Sequence, residues 1–223
     1  MSQPEYRVLP VEEKDTEEIM KLLQITFFID EPMNQAVGLC SDGPCAELDD
    51  YCRHCLPEGL SFKAVDKDGK IVGVLVNGKC PLEEPKDGSD YLSLAKQCQN
   101  PKFVKILYVL AKREDGCKLW KKFPEEEYLV DVKVAATHPD WRKKGIMNAL
   151  VKETEKLTKE LGIRLLRMDT SSAFSAMSAE RLGFTNVYSA KYVDIKLDGQ
   201  PIIVPEPPHV DDRVYIKTLF DRK

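Results

Sequence analysis

No stretch of this sequence is apolar for the roughly 20 residues that a membrane-crossing helix needs, which excludes a helical span. Basic residues are not in excess. The 33 Lys and Arg stand against 37 Asp and Glu, giving a net charge of −4. Nucleic-acid binding through phosphate neutralisation wants the opposite balance, so no nucleic-acid partner is expected. The opening MSQPEYRVLP lacks the basic-then-apolar layout of a secretory leader, and a soluble, cytoplasmic protein is expected. Histidine is scarce, with three in the chain, and the seven cysteines are odd in number and unevenly spaced. Cys40, Cys45, Cys52 and Cys55 cluster around His54, but Cys52-x-x-Cys55 has no second Cys-x-x-Cys pair. No metal site is therefore expected, and the thiols should be reduced and mostly buried. Internal repeats, low-complexity tracts and linkers are also missing. With 43% apolar residues, positions 1–223 read as a single domain with a sizeable core, expected to be monomeric.

The most informative stretch runs from Glu127 to Phe184. Leu129, Val130, Val132, Val134 and the two alanines that follow suit a strand buried on at least one face. Pro139 breaks it, and Arg142-Lys143-Lys144-Gly145 opens a helix. Met147, Leu150, Val151, Thr154, Leu157 and Leu161 then recur at helical spacing, with Gly162 as the stop. Ile163 to Met168 reads as a second strand, and Ala173 to Leu182 as a short helix stopped by Gly183. A helix that opens after a strand presents N–H groups without intrahelical partners and the positive end of its dipole, which is an anion site. Three basic side chains add charge there. A solvated basic turn would look the same by spacing alone.

The remainder places further elements around this unit. Tyr6 to Pro10 is a first strand. Asp15-Thr16-Glu17-Glu18 resembles a capping box opening a helix that ends near Phe28, because Pro32 disfavours helical geometry at Glu31. Asp49 to Leu56 is helical, and Phe62 to Asp66 with Lys70 to Val76 forms a hairpin. Lys79 to Ser89 reads as a loop, and Phe103 to Ala111 as a helix ended by Gly116. A polar connection over Gly116 to Glu126 leads into the central strand. Val187 to Leu197 is strand-like, Pro201 to Pro208 a proline-rich loop, and Val214 to Thr218 a closing strand. The sum is an α/β fold: one mixed sheet with helices on both faces.

Arg142-x-x-Gly145-x-Met147 resembles the acyl-CoA-binding signature Arg/Gln-x-x-Gly-x-Gly/Ala of the GNAT superfamily of N-acetyltransferases. Glu180-Arg181-Leu182-Gly183-Phe184 is similar to its helix-end pattern. Phe27-Phe28-Ile29-Asp30-Glu31-Pro32-Met33-Asn34 resembles the F-F-x-D-E-P-L-N stretch of insect arylalkylamine N-acetyltransferases, and that likeness covers nearly the whole chain. Met147 departs from the Gly or Ala of the signature.

The resemblance implies a GNAT-type fold whose two central parallel strands splay to admit the pantetheine arm of acetyl-CoA. It implies a small-molecule primary amine, dopamine, serotonin, tyramine or octopamine, as acceptor, attacking directly in a ternary complex. Arg142, Lys143, Lys144, Gly145, Ile146 and Met147 would hold the pyrophosphate. Backbone groups of Ala135, Ala136 and Thr137 would face the thioester. Glu31 matches the proposed general base, and Ser171 and Ser175 match two serines proposed to assist, with Ser172 touching the cofactor. Serines before a helix also serve as caps, and both readings stand. The tyrosine that many superfamily members carry four residues before the Gly-Phe pair is Ala179 here. Polyamine or agmatine acetylation and long-chain acyl transfer are alternatives on the same fold. Glu47, Asp49 and Asp50 could meet the distal ammonium of such a substrate. A CoA-binding module without catalysis is a further alternative.

Overall fold

A computed structural model of the chain describes residues 5–85 and 89–221. In chain order the elements are β1 (Tyr6–Pro10), α1 (Thr16–Gln24), α2 (Phe27–Asp30), α3 (Pro32–Val37), α4 (Ala46–Cys55), β2 (Phe62–Asp66), β3 (Ile71–Pro81), α5 (Asp90–Gln97) and α6 (Pro101–Cys117). There follow α7 (Leu119–Lys122), β4 (Tyr128–Thr137), α8 (Ile146–Glu160), β5 (Leu165–Thr170), α9 (Ala173–Arg181), β6 (Thr185–Lys191), the short β7 (Lys196–Leu197) and β8 (Gln200–Pro201), and β9 (Asp211–Thr218).

Seven strands form one mixed sheet in the order β1-β2-β3-β4-β5-β9-β6, in which only β4 and β5 run parallel. The α8 crossover supplies the long connection that a parallel pair requires. One core cluster packs α1, α4 and α6 on one face, with Leu23, Cys52 and Val109 wholly buried. A second gathers Leu150 and Val151 of α8 with Ala176 and Ala179 of α9, and a smaller third joins Leu119 to Leu129, Leu165 and Val214. This is the layered α/β arrangement read from the sequence.

The feature that makes the site is the β4–β5 pair. Its ladder runs only from Leu129↔Leu165 to Val132↔Met168, although β4 continues to Thr137 and β5 to Thr170. Beyond Val132 each strand pairs only with its outer neighbour, β3 or β9. The pair therefore splays, and backbone groups on that edge of β4 face open space. The divergence begins at a bulge. Val76 pairs with Val134 and Asn77 with Val132, so Lys133 is the extra residue.

Several local readings need correction. The capping box lies one turn earlier, between Glu12 and Asp15. Asp15 is spent on the Glu12 N–H and on the Lys63 ammonium, while Glu18 accepts from Ile71 N. The first helix breaks at Ile25, and Pro32 opens α3 rather than a loop, since its fixed φ suits a first helical position. The hairpin strand that was to end at Val76 continues through Pro81, held by pairing with β4, so the expected loop is shorter. Its residues 86–88 lie outside the described residues. Gly116 sits inside α6, and Lys118 at φ 44° makes the left-handed stop. The polar connection contains α7. The second strand runs Leu165–Thr170, two residues later than expected, and β6 ends at Lys191, where a 3-10 turn over Tyr192–Asp194 interrupts the expected strand before the short β7.

Candidate active site

Two cavities meet over the splay. The larger, about 760 Å³, lies under α4, α5 and α6, and its wall is mainly apolar and aromatic: Phe27, Leu48, Tyr51, Tyr91, Phe103 and Leu107 among others. The smaller, about 370 Å³, follows the open edge of β4 and the start of α9. Phe27, Glu31, Val132, Lys133, Asp169 and Ser171 border both and form the neck between them. Both volumes suit small-molecule sites, which run from ~300 to ~1,000 Å³.

Glu31 stands at this neck because the chain turns there. Its φ and ψ of −67° and 129° are extended, between α2 and α3, and its carboxylate caps α3. Oε2 accepts from Asn34 N at 2.7 Å. Oε1 is inaccessible and has no hydrogen-bond partner among the described residues. The Ser171 hydroxyl neighbours the carboxylate without closing a bond on Oε1. Burial raises the Glu31 pKa above its usual value of 4.5, although Ser171, the Asn34 and Met33 N–H groups and Arg113 pull it down.

The three serines at the start of α9 divide their work. Ser172 is the helix cap, accepting from Phe174 N at 3.1 Å and Ser175 N at 3.2 Å. Ser175 Oγ donates to Ser172 O at 2.9 Å, within the same turn. Ser171 alone sits beside Glu31, and Tyr192 fixes its main chain by donating to Ser171 O at 3.1 Å. Tyr192 itself is 1% exposed and lines neither cavity.

Ala135, Ala136, Thr137, Arg142 and Met147 line the smaller cavity, as do Ser172 and Ser175. Met147 thus faces the cleft while packing on the α8 core cluster. Arg142 Nη2 reaches Asp30 Oδ2 at 2.5 Å, so the basic loop is tied to α2 across the cleft mouth. Gly145 caps α8 at φ 79°, a conformation that costs a side chain roughly 1–2 kcal/mol. Lys143 is also left-handed, at φ 64°. The first helical bond, Ala149 N to Gly145 O, leaves the N–H groups of Ile146 and Met147 ahead of it. The Ile146 side chain is in the core at 2% exposure, so only its backbone can serve a ligand. Lys144 is held by Glu5 at 3.0 Å and over the Trp141 ring. His138 is a loop cap, accepting from Asp140 N.

Sequence reading missed the charged floor. Asp169, at the neck, binds Arg167 and Arg113, the latter at 2.8 Å, and Arg113 also grips the fully buried Asp212. Burial opposes ionisation of Asp169, but Arg167 and Arg113 hold its pKa below the usual carboxylate range. Lys133 and Asp131 line the larger cavity beside them. Of the three carboxylates singled out for a distal ammonium, Glu47 and Asp50 line this cavity. Asp49 does not, being paired with Arg53 at 2.6 Å. All seven cysteines are free thiols. Burial pushes Cys45 and Cys55 up to about 11 and Cys52 and Cys117 up to about 12, unsuited to nucleophilic thiolates. Among the described residues no cluster of His, Cys, Asp and Glu could hold a metal, and no helix is long and apolar enough to cross a membrane.

No family model matches the chain. Solved structures do. Arylalkylamine N-acetyltransferase 2 from Aedes aegypti superposes with a TM-score of 0.88 at 26% identity, over 96% of this chain and 99% of that one. The polyamine N-acetyltransferase of Drosophila melanogaster, which forms N-acetylagmatine, matches at 0.84 and 26% over the same shares. An agmatine N-acetyltransferase mutant in its apo form matches at 0.84 and 25%, again over 96% of this chain and 99% of that one. The chain has the GNAT fold and is similar to insect arylalkylamine and polyamine N-acetyltransferases.

Proposed function

We propose that this GNAT-fold protein is an acyl-CoA-dependent amine N-acetyltransferase that takes its acetyl group from acetyl-CoA and gives it to an arylalkylamine. The observation that carries the reading is the neck: a cleft along the splayed strands and an aromatic cavity meet at Glu31 and Ser171. Two reactants that enter from opposite sides would meet beside a carboxylate.

The donor cleft suits acetyl-CoA by its residues. Arg142, the left-handed Lys143–Gly145 loop and the first N–H groups of α8 offer charge and donors for a pyrophosphate. The exposed edge of β4 over Ala135 to Thr137 offers backbone partners to an extended pantetheine arm and to the thioester oxygen.

The acceptor amine reaches the neck as an ammonium, with a free pKa near ~10, and must lose a proton before it attacks. Glu31 is the base: its raised pKa makes it a better match for that task than an exposed carboxylate. The ammonium gives one proton to Glu31, the neutral nitrogen forms its bond to the thioester carbon, the carbon–sulfur bond breaks, and the second proton that the nitrogen sheds goes to the departing thiolate. Ser171, beside Glu31, is the hydroxyl placed to pass a proton across the neck. Ser172 and Ser175 hold α9 in place, so their role is positioning. Direct transfer fits the elevated thiols.

A second reading has one observation in its favour. Glu47 and Asp50 line the acceptor cavity and suit the distal cation of agmatine or a polyamine. Thiol release from acetyl-CoA across dopamine, serotonin, octopamine, spermidine, agmatine and a no-amine blank separates the two. Faster release with the aromatic amines is expected. Release with spermidine or agmatine alone overturns the substrate class. Bound acetyl-CoA with a flat panel overturns catalysis.

A further inference from the structure

Between β6 and β9 the chain leaves the sheet over residues 192–210. Buried Ile195 and Ile203 anchor this excursion in the core cluster that also holds Leu23 and Val109. Tyr192 N donates to Val210 O and Ile202 N to Ile195 O, each at 3.0 Å, so the excursion is tied at its base and across its middle. None of its residues lines either cavity.

The excursion nevertheless holds the turn that carries Ser171. β5 ends at Thr170, paired with Arg213, and the first acceptor of α9 is Ser172 O, which takes Ala176 N at 3.0 Å. Ser171 O falls between ladder and helix and needs a partner from elsewhere. The Tyr192 hydroxyl supplies it at 3.1 Å. Two residues on, His209 Nδ1 accepts from Ala173 N at 3.1 Å. Both bonds end on main chain, one on each side of Ser172. Burial raises the Tyr192 pKa, and Asp212 and Glu31 add to that, so the phenol stays a donor across the working range.

Of the three serines, Ser171 alone borders both cavities. Its side chain is short, so its hydroxyl goes where its main chain goes. The Ser172 and Ser175 bonds fix the turn downstream of it and leave Ser171 O untouched. A displacement of about 1 Å at a reacting group can cost on the order of 10²-fold in rate. The phenol that holds Ser171 O therefore bears on the rate without touching either reactant.

We propose that the 192–210 excursion clamps the turn between β5 and α9, and that Tyr192 is a positioning residue acting on the transfer step through Ser171. The inference rests on the reading of Ser171 as the hydroxyl that passes a proton in an acetyltransferase.

Tyr192→Phe keeps the ring and removes the donor. With the fastest amine of the panel, kcat should fall several-fold, by no more than Ser171→Ala loses. KM for acetyl-CoA and for the amine should each stay within about twofold. The double variant Tyr192→Phe/Ser171→Ala should match Ser171→Ala alone within about twofold, because the phenol has nothing left to position. The acid limb of the pH profile, set by Glu31, should stay in place. An additive loss in the double variant, or a displaced acid limb, would mean that Tyr192 acts elsewhere than on Ser171 and would overturn the proposal. Hydrogen exchange supplies the arm that needs no activity. The amides of Ala173 to Ala176 should exchange about tenfold faster in Tyr192→Phe while those of α1 hold. Unchanged exchange at the turn, or an equal rise in α1, refutes the clamp. A wild type that releases no thiol with any amine, together with the exchange contrast, discards the acetyltransferase reading and leaves the clamp standing.

Discussion

Replacing Glu31 by glutamine separates the chemistry at the neck from the fold around it. The amide oxygen can still accept from Asn34 N, the bond that the carboxylate makes at 2.7 Å. The helix loses an anion at its N-terminus, a term of about 0.3–1 kcal/mol. Against that, ionised Glu31 carries a burial penalty that the amide escapes. With its folded pKa raised above 4.5, ionisation of Glu31 costs the fold stability as pH rises from that value through the folded one. The two terms oppose, so unfolding free energy at neutral pH should change by no more than about 1 kcal/mol. The rate should behave differently. A positioned general base contributes 10²–10⁴-fold, or roughly 3–5.5 kcal/mol of barrier. We expect kcat to fall by that range, measured as thiol release at saturating acetyl-CoA. The pH profile gives the sharper reading. In the wild type, activity should be lost as pH falls through the raised Glu31 pKa, because the protonated acid takes no proton. In the variant that acid limb should vanish, leaving a rate that climbs with the fraction of neutral amine. A variant that keeps more than a tenth of wild-type kcat, with its acid limb in place, would show that Glu31 is not the base.

The remaining expectations concern the neighbours of Glu31. Ser171→Ala should lower kcat about tenfold or more with little change in stability, whereas Ser172→Ala should cost about 1 kcal/mol of stability as a lost helix cap, read by urea unfolding. Arg142→Ala should raise the KM for acetyl-CoA several-fold, increasingly at low salt, while kcat at saturation holds, since Arg142 lines the donor cleft. Arg113→Leu should destabilise by about 3–5 kcal/mol, because it strands the fully buried Asp212 and weakens Asp169. In the wild type the Asp169 contribution should be complete above about pH 4 and lost as pH falls toward its folded value of about 2, checked by unfolding across that window.

Local periodicity and short motifs carried much of the fold. The strand before Pro139, the helix from Gly145 and the short helix after the serines follow from spacing within a few residues, and the sheet-and-helix layering follows from their order. Glu31 was legible only through its motif, since an exposed loop glutamate has the same local sequence. The charged floor was not legible. Arg113 looks like a solvated helix residue until Asp169 and Asp212, 56 and 99 positions away, are brought to it. Lys133 reads as the polar face of an alternating strand, and only the β3 register reveals the bulge that aims it inward. α5 went unread because Asp90–Gln97 is only eight residues long, too short for a helical period to stand out, and it packs against α6.

A single turnover with labelled acetyl-CoA, run with and without tyramine, tests direct transfer at the neck. All of the label should move to the amine nitrogen in one phase, and none should remain on protein when the amine is left out. Label retained on a cysteine or serine without amine, or bound acetyl-CoA that never yields N-acetyltyramine or any other acetylated amine, would contradict it.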